Sequence, residues 1–202
     1  TELDPNCAMA WWGIAYCVSS NYNWSPGLGP GYDAIQQAVS LKDGCTEIEQ
    51  DLIMALSTRH SKEARDNANP AALNMGNSPE LNQAFANAMA PLYEKYAGNL
   101  DVAAIYVEAL MNLNPWTLWN KDAASGEITP VDDSTLLLIK IMEDAFDNVP
   151  GAKEHPALCH LYCHALELSP YPEKALPAAD VFRTLMPGCG HLVHMPSHID
   201  AW

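Results

Sequence analysis

The chain has 202 residues, 49% of them hydrophobic, which suits one compact domain or one stretch of helical repeats. Twenty-five acidic residues against ten basic ones give a formal net charge of −15. Such a surface disfavours nucleic acid and anionic membrane, and it favours cations or basic partners. No apolar run approaches the length of a membrane span. A single glycosylation sequon at Asn23 favours an extracellular location only slightly.

Helical periodicity, interrupted by proline, glycine and asparagine, runs through almost the whole sequence. Thr46 followed by Glu49 has the pattern of a capping box, and Ser78-Pro79 has the pattern of a helix start. Asp132 or Asp133 is expected to cap the helix that follows a tryptophan-containing loop. No strand is predicted. In chain order, nine helices are predicted at about residues 5–20, 32–41, 46–60, 78–96, 99–113, 134–148, 156–168, 172–186 and 191–202.

The alternation of helices with short or medium links indicates the fold class. It predicts an all-α chain, and the regular succession of helices is typical of an α-solenoid. The polar, asparagine-rich segment at residues 61–77 is expected to be a connection between helices.

Six of the seven histidines lie in the last 48 residues, from His155 onward. His160 and His164 are four residues apart, which places them on one face of a helix, and His194 and His198 have the same spacing. The second pair follows the first by 34 residues. Two consecutive units of 34 residues therefore carry the same pair of histidines at equivalent positions.

Thirty-four residues is the length of a tetratricopeptide (TPR) helix–turn–helix unit, and the residue pattern resembles that family. Small and large residues occupy the TPR positions at Cys159, Tyr162, Cys163, Leu166, Ala175, Ala179, Phe182 and Pro187. A second matching series near the N-terminus comprises Met9, Trp12, Gly13, Tyr16, Ala34, Ala38 and Leu41. The segments DPNCAMAWWGIAY and GHLVHMPSHI also resemble a poorly characterised group of larger TPR-like proteins, a likeness that brings no established activity.

The resemblance implies a single TPR-like domain over residues 1–202, with about four antiparallel helix pairs and an unpaired C-terminal helix. In such arrays the first helix of each pair lines a concave groove. The resemblance places six side chains on groove positions, the last of them by a weaker alignment: His160, His164, Glu167, His194, His198 and Glu108.

Three interpretations of the histidine pairs stay open. In the first, the four histidines bind a transition metal such as Zn or Cu, and Glu167 or Glu108 is a further ligand or orients an imidazole. In the second, the groove binds a peptide or a small molecule through hydrogen bonds. In the third, the histidines only stack between neighbouring repeats. Two pairs one repeat apart favour the metal site.

The sequence gives little support for an enzyme. Ser197 lies near histidines, but no strand–turn–helix elbow precedes it. Cys163 and His164 are adjacent on a helix and therefore point in different directions. A metal-dependent hydrolase is a weaker alternative to a binding or scaffold protein. The six cysteines fit small apolar residues better than a disulfide framework.

The tryptophans and the two chain ends are candidate contact sites for partners. Because Trp11 and Trp12 are adjacent, they cannot both face the core, and the resemblance leaves Trp11 for the groove or for a partner. Trp116 and Trp119 are expected to anchor their loop or to contact a ligand. Both ends are apolar helices without a cap, which predicts either a head-to-tail filament of copies of the chain or a piece of a longer protein.

Overall fold

A computed structural model describes residues 1–19, 21–23, 29–66 and 78–201, with only the backbone described at residues 29 and 30. The described chain is mostly helical, which confirms the all-α prediction. None of the described helices is both long and apolar enough to cross a membrane. The elements are α1 Ala8–Val18, α2 Gly29–Leu41, α3 Glu47–Ser57, α4 Lys62–Asp66, α5 Pro79–Lys95, α6 Leu100–Met111, β1 Trp119–Lys121, β2 Ile128–Pro130, α7 Asp133–Asn148, α8 Pro156–Leu166, α9 Leu176–Phe182, α10 Gly190–His194 and α11 Pro196–Asp200.

The chain divides into two compact units, Thr1–Ala97 and Gly98–Trp202. In the first unit, α1 packs against α2 and α3, and α3 also packs against α5. In the second unit, α8 is central, because it packs against α6, α7, α9 and α11. Eight of the eleven residues of α8 are buried as a result. The single TPR-like domain and the solenoid stay predictions.

Three predicted helix starts are confirmed, those at Thr46, Ser78 and Asp132, whereas the first helix begins at Ala8 rather than at Pro5. The Thr46 N–H donates to Glu49 Oε2 at 2.8 Å, which completes the capping box of α3. Ser78 Oγ accepts the N–H of Leu81 at 3.3 Å at the start of α5. Asp132, rather than Asp133, caps α7. Each of these side chains satisfies a backbone donor that the first helical turn leaves without a partner.

The C-terminal segment differs from its prediction, because the single helix expected over residues 191–202 is interrupted. Pro196 has no N–H to donate to the preceding turn, so α10 ends at His194 and α11 begins at Pro196. Met195 and Ile199 are buried and pack this segment against the helices beneath it. Similarly, the helix predicted over residues 172–186 consists of a 3₁₀ turn, Pro172–Ala175, followed by the short α9.

The loop at residues 115–130 contains a hairpin that the sequence did not predict. Strands β1 and β2 are antiparallel, with Trp119 opposite Pro130. Asp122 Oδ1 accepts the N–H groups of Ala124 and Ser125 and thereby shapes the turn. Each strand has only three residues, too few for an alternating pattern to be visible in the sequence.

Two predicted features lie wholly or partly outside the described residues. The connection at residues 61–77 contains the short helix α4, and residues 67–77 are not described. In the sequon, Asn23 is described, whereas Trp24 and Ser25 are not. All six cysteines are described and are free thiols.

Replacing Gly31 by alanine is expected to destabilise the first unit by about 1–3 kcal/mol, the usual cost of overpacking. A Cβ atom at Gly31 would lie 2.3 Å from Cε1 of His60. That ring is buried, and its Nε2 lies 3.0 Å from Ser19 Oγ, so it cannot move without losing this contact. The midpoint of urea unfolding measures the change.

Gly13→Ala is the matched control. Gly13 also lies inside a helix, but no atom lies within 4 Å of the Cβ position. Because alanine loses less conformational freedom than glycine on folding, this variant should gain about 0.5–1 kcal/mol. A Gly31→Ala chain that is as stable as the Gly13→Ala chain would show that His60 does not restrict this position.

Candidate metal centre

The central helix α8 carries two histidines on one face. His160 and His164 are separated by four residues, and their ring centroids lie 4.8 Å apart. His164 is buried, whereas His160 is half-buried. The face that carries them is the face onto which α11 packs, so side chains of the C-terminal segment can reach the same region.

Three further histidines complete a closed arrangement with this pair, here termed the histidine cluster: His160, His164, His191, His194 and His198. Neighbouring ring centroids are 4.8–5.1 Å apart around the whole circuit, which passes from His160 through His164, His198, His194 and His191 back to His160. Most of these pairs meet edge to face. Imidazoles from α8, α10 and α11 thus surround a common region.

Within the described residues, two groups in this region have the composition and spacing of metal ligands. His160, His164 and His191 form the first, and His164, Glu167 and His198 form the second. In each group, one ligand atom from every residue lies within 4.8 Å of the others. His164 belongs to both groups, so this buried residue is the centre of the site.

In the first group, Nε2 of His160 and Nε2 of His191 are 2.9 Å apart. Two nitrogens that share a tetrahedral zinc ion at about 2.0–2.1 Å lie about 3.3 Å apart. The pair therefore needs to open by less than about half an ångström to take an ion at that bond length. His191 is exposed and lies on a helix of five residues, α10, so it can make this adjustment more easily than the buried His164.

Glu167 contacts two neighbouring histidines of the cluster, one on α8 and one on α11. Its Oε1 accepts from Nδ1 of His164 at 3.0 Å, and its Oε2 accepts from Nδ1 of His198. A carboxylate that accepts from Nδ1 fixes the tautomer in which Nε2 carries the lone pair. This is the arrangement by which carboxylates orient histidine ligands of metal ions.

The surroundings favour the neutral form of several imidazoles. Burial, together with the other four histidines, lowers the pKa of His160 to about 3. The pKa values of His191 and His194 are also lowered, mainly by burial. Burial raises the pKa of Glu167, but hydrogen bonds and charge from His164 and His198 outweigh it, so its pKa lies below the usual value. Neutral imidazole is the form that binds metals.

Trp116 packs against the cluster in a conformation that is unusual for its residue type. Its φ of 62° lies in the left-handed region, which is strained for a bulky side chain. The indole meets the His164 ring edge to face, with centroids 5.5 Å apart. Trp119 instead donates its Nε1–H to the carbonyl of Ala165 at 2.7 Å and so holds the hairpin on α8.

Four of the seven predicted site residues belong to the two ligand groups, and three do not. His160, His164, His198 and Glu167 belong to the two ligand groups. His194 belongs to neither, although its ring touches those of His191 and His198.

The two remaining predicted positions are Glu108 and Trp11. Among the described residues, Glu108 of α6 is also in neither ligand group. Trp11 lies in the first unit, where its Nε1–H donates to the carbonyl of Pro5 at 2.8 Å. Contact of Trp11 with a partner stays a prediction.

His191 is the ligand candidate that sequence reasoning missed. It precedes His194 by three residues, a spacing that also places two side chains on one helical face. The offset of 34 residues predicted His194 as the counterpart of His160. In the structure, the ring that faces His160 is that of His191, 31 residues further along the chain.

No protein-family model, no curated protein and no solved structure matches this chain.

Proposed function

We propose that this chain is a transition-metal-binding protein whose ion is held by His160, His164 and His191. The observation that carries the proposal is the convergence of these three imidazoles, with ligand atoms within 4.8 Å of one another. Nitrogen ligands of this kind suit Zn²⁺ and Cu²⁺ better than Mg²⁺ or Ca²⁺, which prefer oxygen. Zn²⁺ or Cu²⁺ is therefore the proposed ion.

The position of Glu167 supports the all-histidine group over the group that contains Glu167 itself. Both of its carboxylate oxygens already accept hydrogen bonds, from His164 and from His198. An ion bound directly to Glu167 would compete with these bonds for the carboxylate oxygens. An ion bound to Nε2 of His164 leaves both in place and benefits from the orientation that they impose.

The degree of burial supports a site that an ion can enter from solvent. The three ligands range from the buried His164 through the half-buried His160 to the exposed His191. Three protein ligands also leave a position for water or for a ligand from a partner in tetrahedral coordination. The net charge of −15 raises the local concentration of cations around the protein.

Elemental analysis and thermal unfolding of the chain, purified without a histidine tag, test this proposal. After loading with Zn²⁺ or Cu²⁺ and removal of the excess, we expect about one ion per chain. Free ion at 100 times Kd should stabilise the folded state by about 2.7 kcal/mol, because it binds the folded site only. Mg²⁺ controls for binding by the acidic surface. Absence of both bound metal and a thermal shift would refute the proposal.

The repeat architecture forms a second, separate part of the proposal. We propose that the helices stack as in TPR-like solenoids, with the cluster on the groove side. The packing of α1 on α2 and of α8 on α9, each helix on the next, supports this arrangement within each unit. A peptide or a second copy of the chain as a partner for the groove stays a prediction.

A further inference from the structure

A cavity separate from the histidine cluster lies in the second unit, between α7, α8 and α9. Its volume is about 580 Å³, within the range of about 300–1,000 Å³ that small-molecule sites occupy. No histidine lines it, although α8 contributes residues to both places: Cys159 and Tyr162 line the cavity, whereas His160 and His164 belong to the cluster. The two features are therefore distinct sites on one helix.

The cavity has an apolar and aromatic part. Phe146 and Tyr162 meet edge to face with centroids 5.2 Å apart, and Val181 and Ala178 of α9 complete the wall. Burial raises the pKa of the Cys159 thiol to about 12, so this residue contributes an apolar surface rather than a nucleophile. Such walls suit an aromatic or branched hydrocarbon body.

The charged residues that line the cavity indicate which polar group a bound molecule would carry next to its hydrocarbon part. Three carboxylates, Glu143, Asp147 and Glu154, outnumber the two lysines, Lys153 and Lys174. The Glu143 carboxylate already has two hydrogen-bond partners, because it accepts from Tyr162 Oη at 2.9 Å and from Lys174 Nζ at 3.3 Å. Asp147 and Glu154 have no hydrogen bond or ion pair from their side chains to any described residue.

A smaller cavity of about 290 Å³ adjoins the first and shares Phe146, Asp147, Lys153 and Glu154 with it. Asp147 and Glu154, which are both exposed to solvent, therefore line both cavities. A cationic group seated beside them would keep its attached hydrocarbon in contact with the aromatic wall. Attraction between a cation and the faces of aromatic rings adds to the pairing with carboxylates.

We propose that this cavity binds a small organic amine, with its hydrocarbon body against Phe146, Tyr162 and Val181 and its ammonium group beside Asp147 and Glu154. The excess of carboxylates over lysines selects a cation over an anion. The net charge of the whole chain acts in the same direction. This site does not depend on the metal site.

Three probes of nearly equal size and different charge test the proposal: 2-phenylethylamine, 2-phenylethanol and phenylacetate. Calorimetric titration uses the full chain after removal of metal with a chelator, so that the histidine cluster cannot contribute. We expect the amine to bind more tightly than the alcohol and the carboxylate to bind most weakly. Equal or tighter binding of phenylacetate, or no binding of any probe, would overturn the proposal.

Variants then locate the binding. Asp147→Asn and Glu154→Gln should each weaken amine binding by roughly 2- to 5-fold, the range of partly exposed ion pairs, and should leave alcohol binding unchanged. Asp144→Asn is the matched control, because Asp144 lies on the same helix, pairs with Lys140 and does not line the cavity. Val181→Phe should weaken all binding by filling the cavity. Amine binding that none of the cavity variants alters would place the amine elsewhere and refute the assignment.

Discussion

Replacing His164 by alanine is expected to abolish stoichiometric binding of Zn²⁺ and Cu²⁺. His164 belongs to both candidate ligand groups, so its loss leaves two ligands in either group. Removing an outer-shell partner typically costs roughly 10- to 100-fold in metal affinity, and removing a ligand itself should cost more. Competition against a chromophoric chelator measures the affinity.

His191→Ala and His194→Ala form a matched pair that identifies the ligand set. Both residues are exposed, both lie on α10, and each has a ring in contact with other histidines of the cluster. Only His191 belongs to a ligand group, so only its replacement should reduce affinity strongly. Because both side chains are exposed, neither variant should unfold the chain, which separates loss of a ligand from loss of structure. Strong loss in His194→Ala together with unchanged affinity in His191→Ala would favour the ligand set predicted from the 34-residue period.

The 34-residue period predicted one of the two histidine contacts across the cluster and missed the other. The period assumes that equivalent residues on successive helices face each other, and it pairs His164 with His198, whose rings do meet. It also pairs His160 with His194, but Pro196 interrupts the C-terminal helix, which continues as the two short helices α10 and α11. In the structure His191 takes the place opposite His160.

Some other contacts in the site could be predicted from the sequence, and others could not. The spacing of Glu167 from His164, three residues, made their contact predictable, and the hydrogen bond between them is present. The contact of Trp116 with His164 depends on a left-handed backbone at a tryptophan, for which residue propensities give no signal. The cavity between α7, α8 and α9 also had no sequence signal, because it depends on the packing of three helices rather than on a motif.

The sequence predicted the helices best where a few adjacent residues determine a helix start. Thr46, Ser78 and Asp132 start helices because each satisfies backbone donors that the first turn leaves exposed, and this chemistry is visible in a few adjacent residues. The three-residue strands of the hairpin depend instead on pairing between residues such as Trp119 and Pro130. Contacts at that separation in the chain are not contained in local propensity.

Acidification provides the second large effect, and its direction follows from His160. The pKa of this side chain is about 3 in the folded chain and about 6.5 when unfolded. Between these values the unfolded state binds more protons than the folded state, so stability falls as the pH falls from about 6.5 toward 3. Each such proton contributes up to about 1.4 kcal/mol per pH unit. Burial also lowers the pKa values of His191 and His194, which adds to the same trend.

Metal should make this dependence steeper. Protons compete with the ion for the same imidazole lone pairs, so a loaded chain loses its metal-linked stabilisation in addition to the stability that the stripped chain loses. We therefore expect the melting temperature to fall between pH 7 and pH 5 by more in the metal-loaded chain than in the stripped chain. In stripped His160→Leu the decrease should be smaller than in the stripped parent, because the variant lacks the most strongly shifted group. Equal decreases in the loaded and stripped parent would mean that the imidazoles do not hold the ion, and the cluster would then be a structural feature of the packing between α8 and the C-terminal segment.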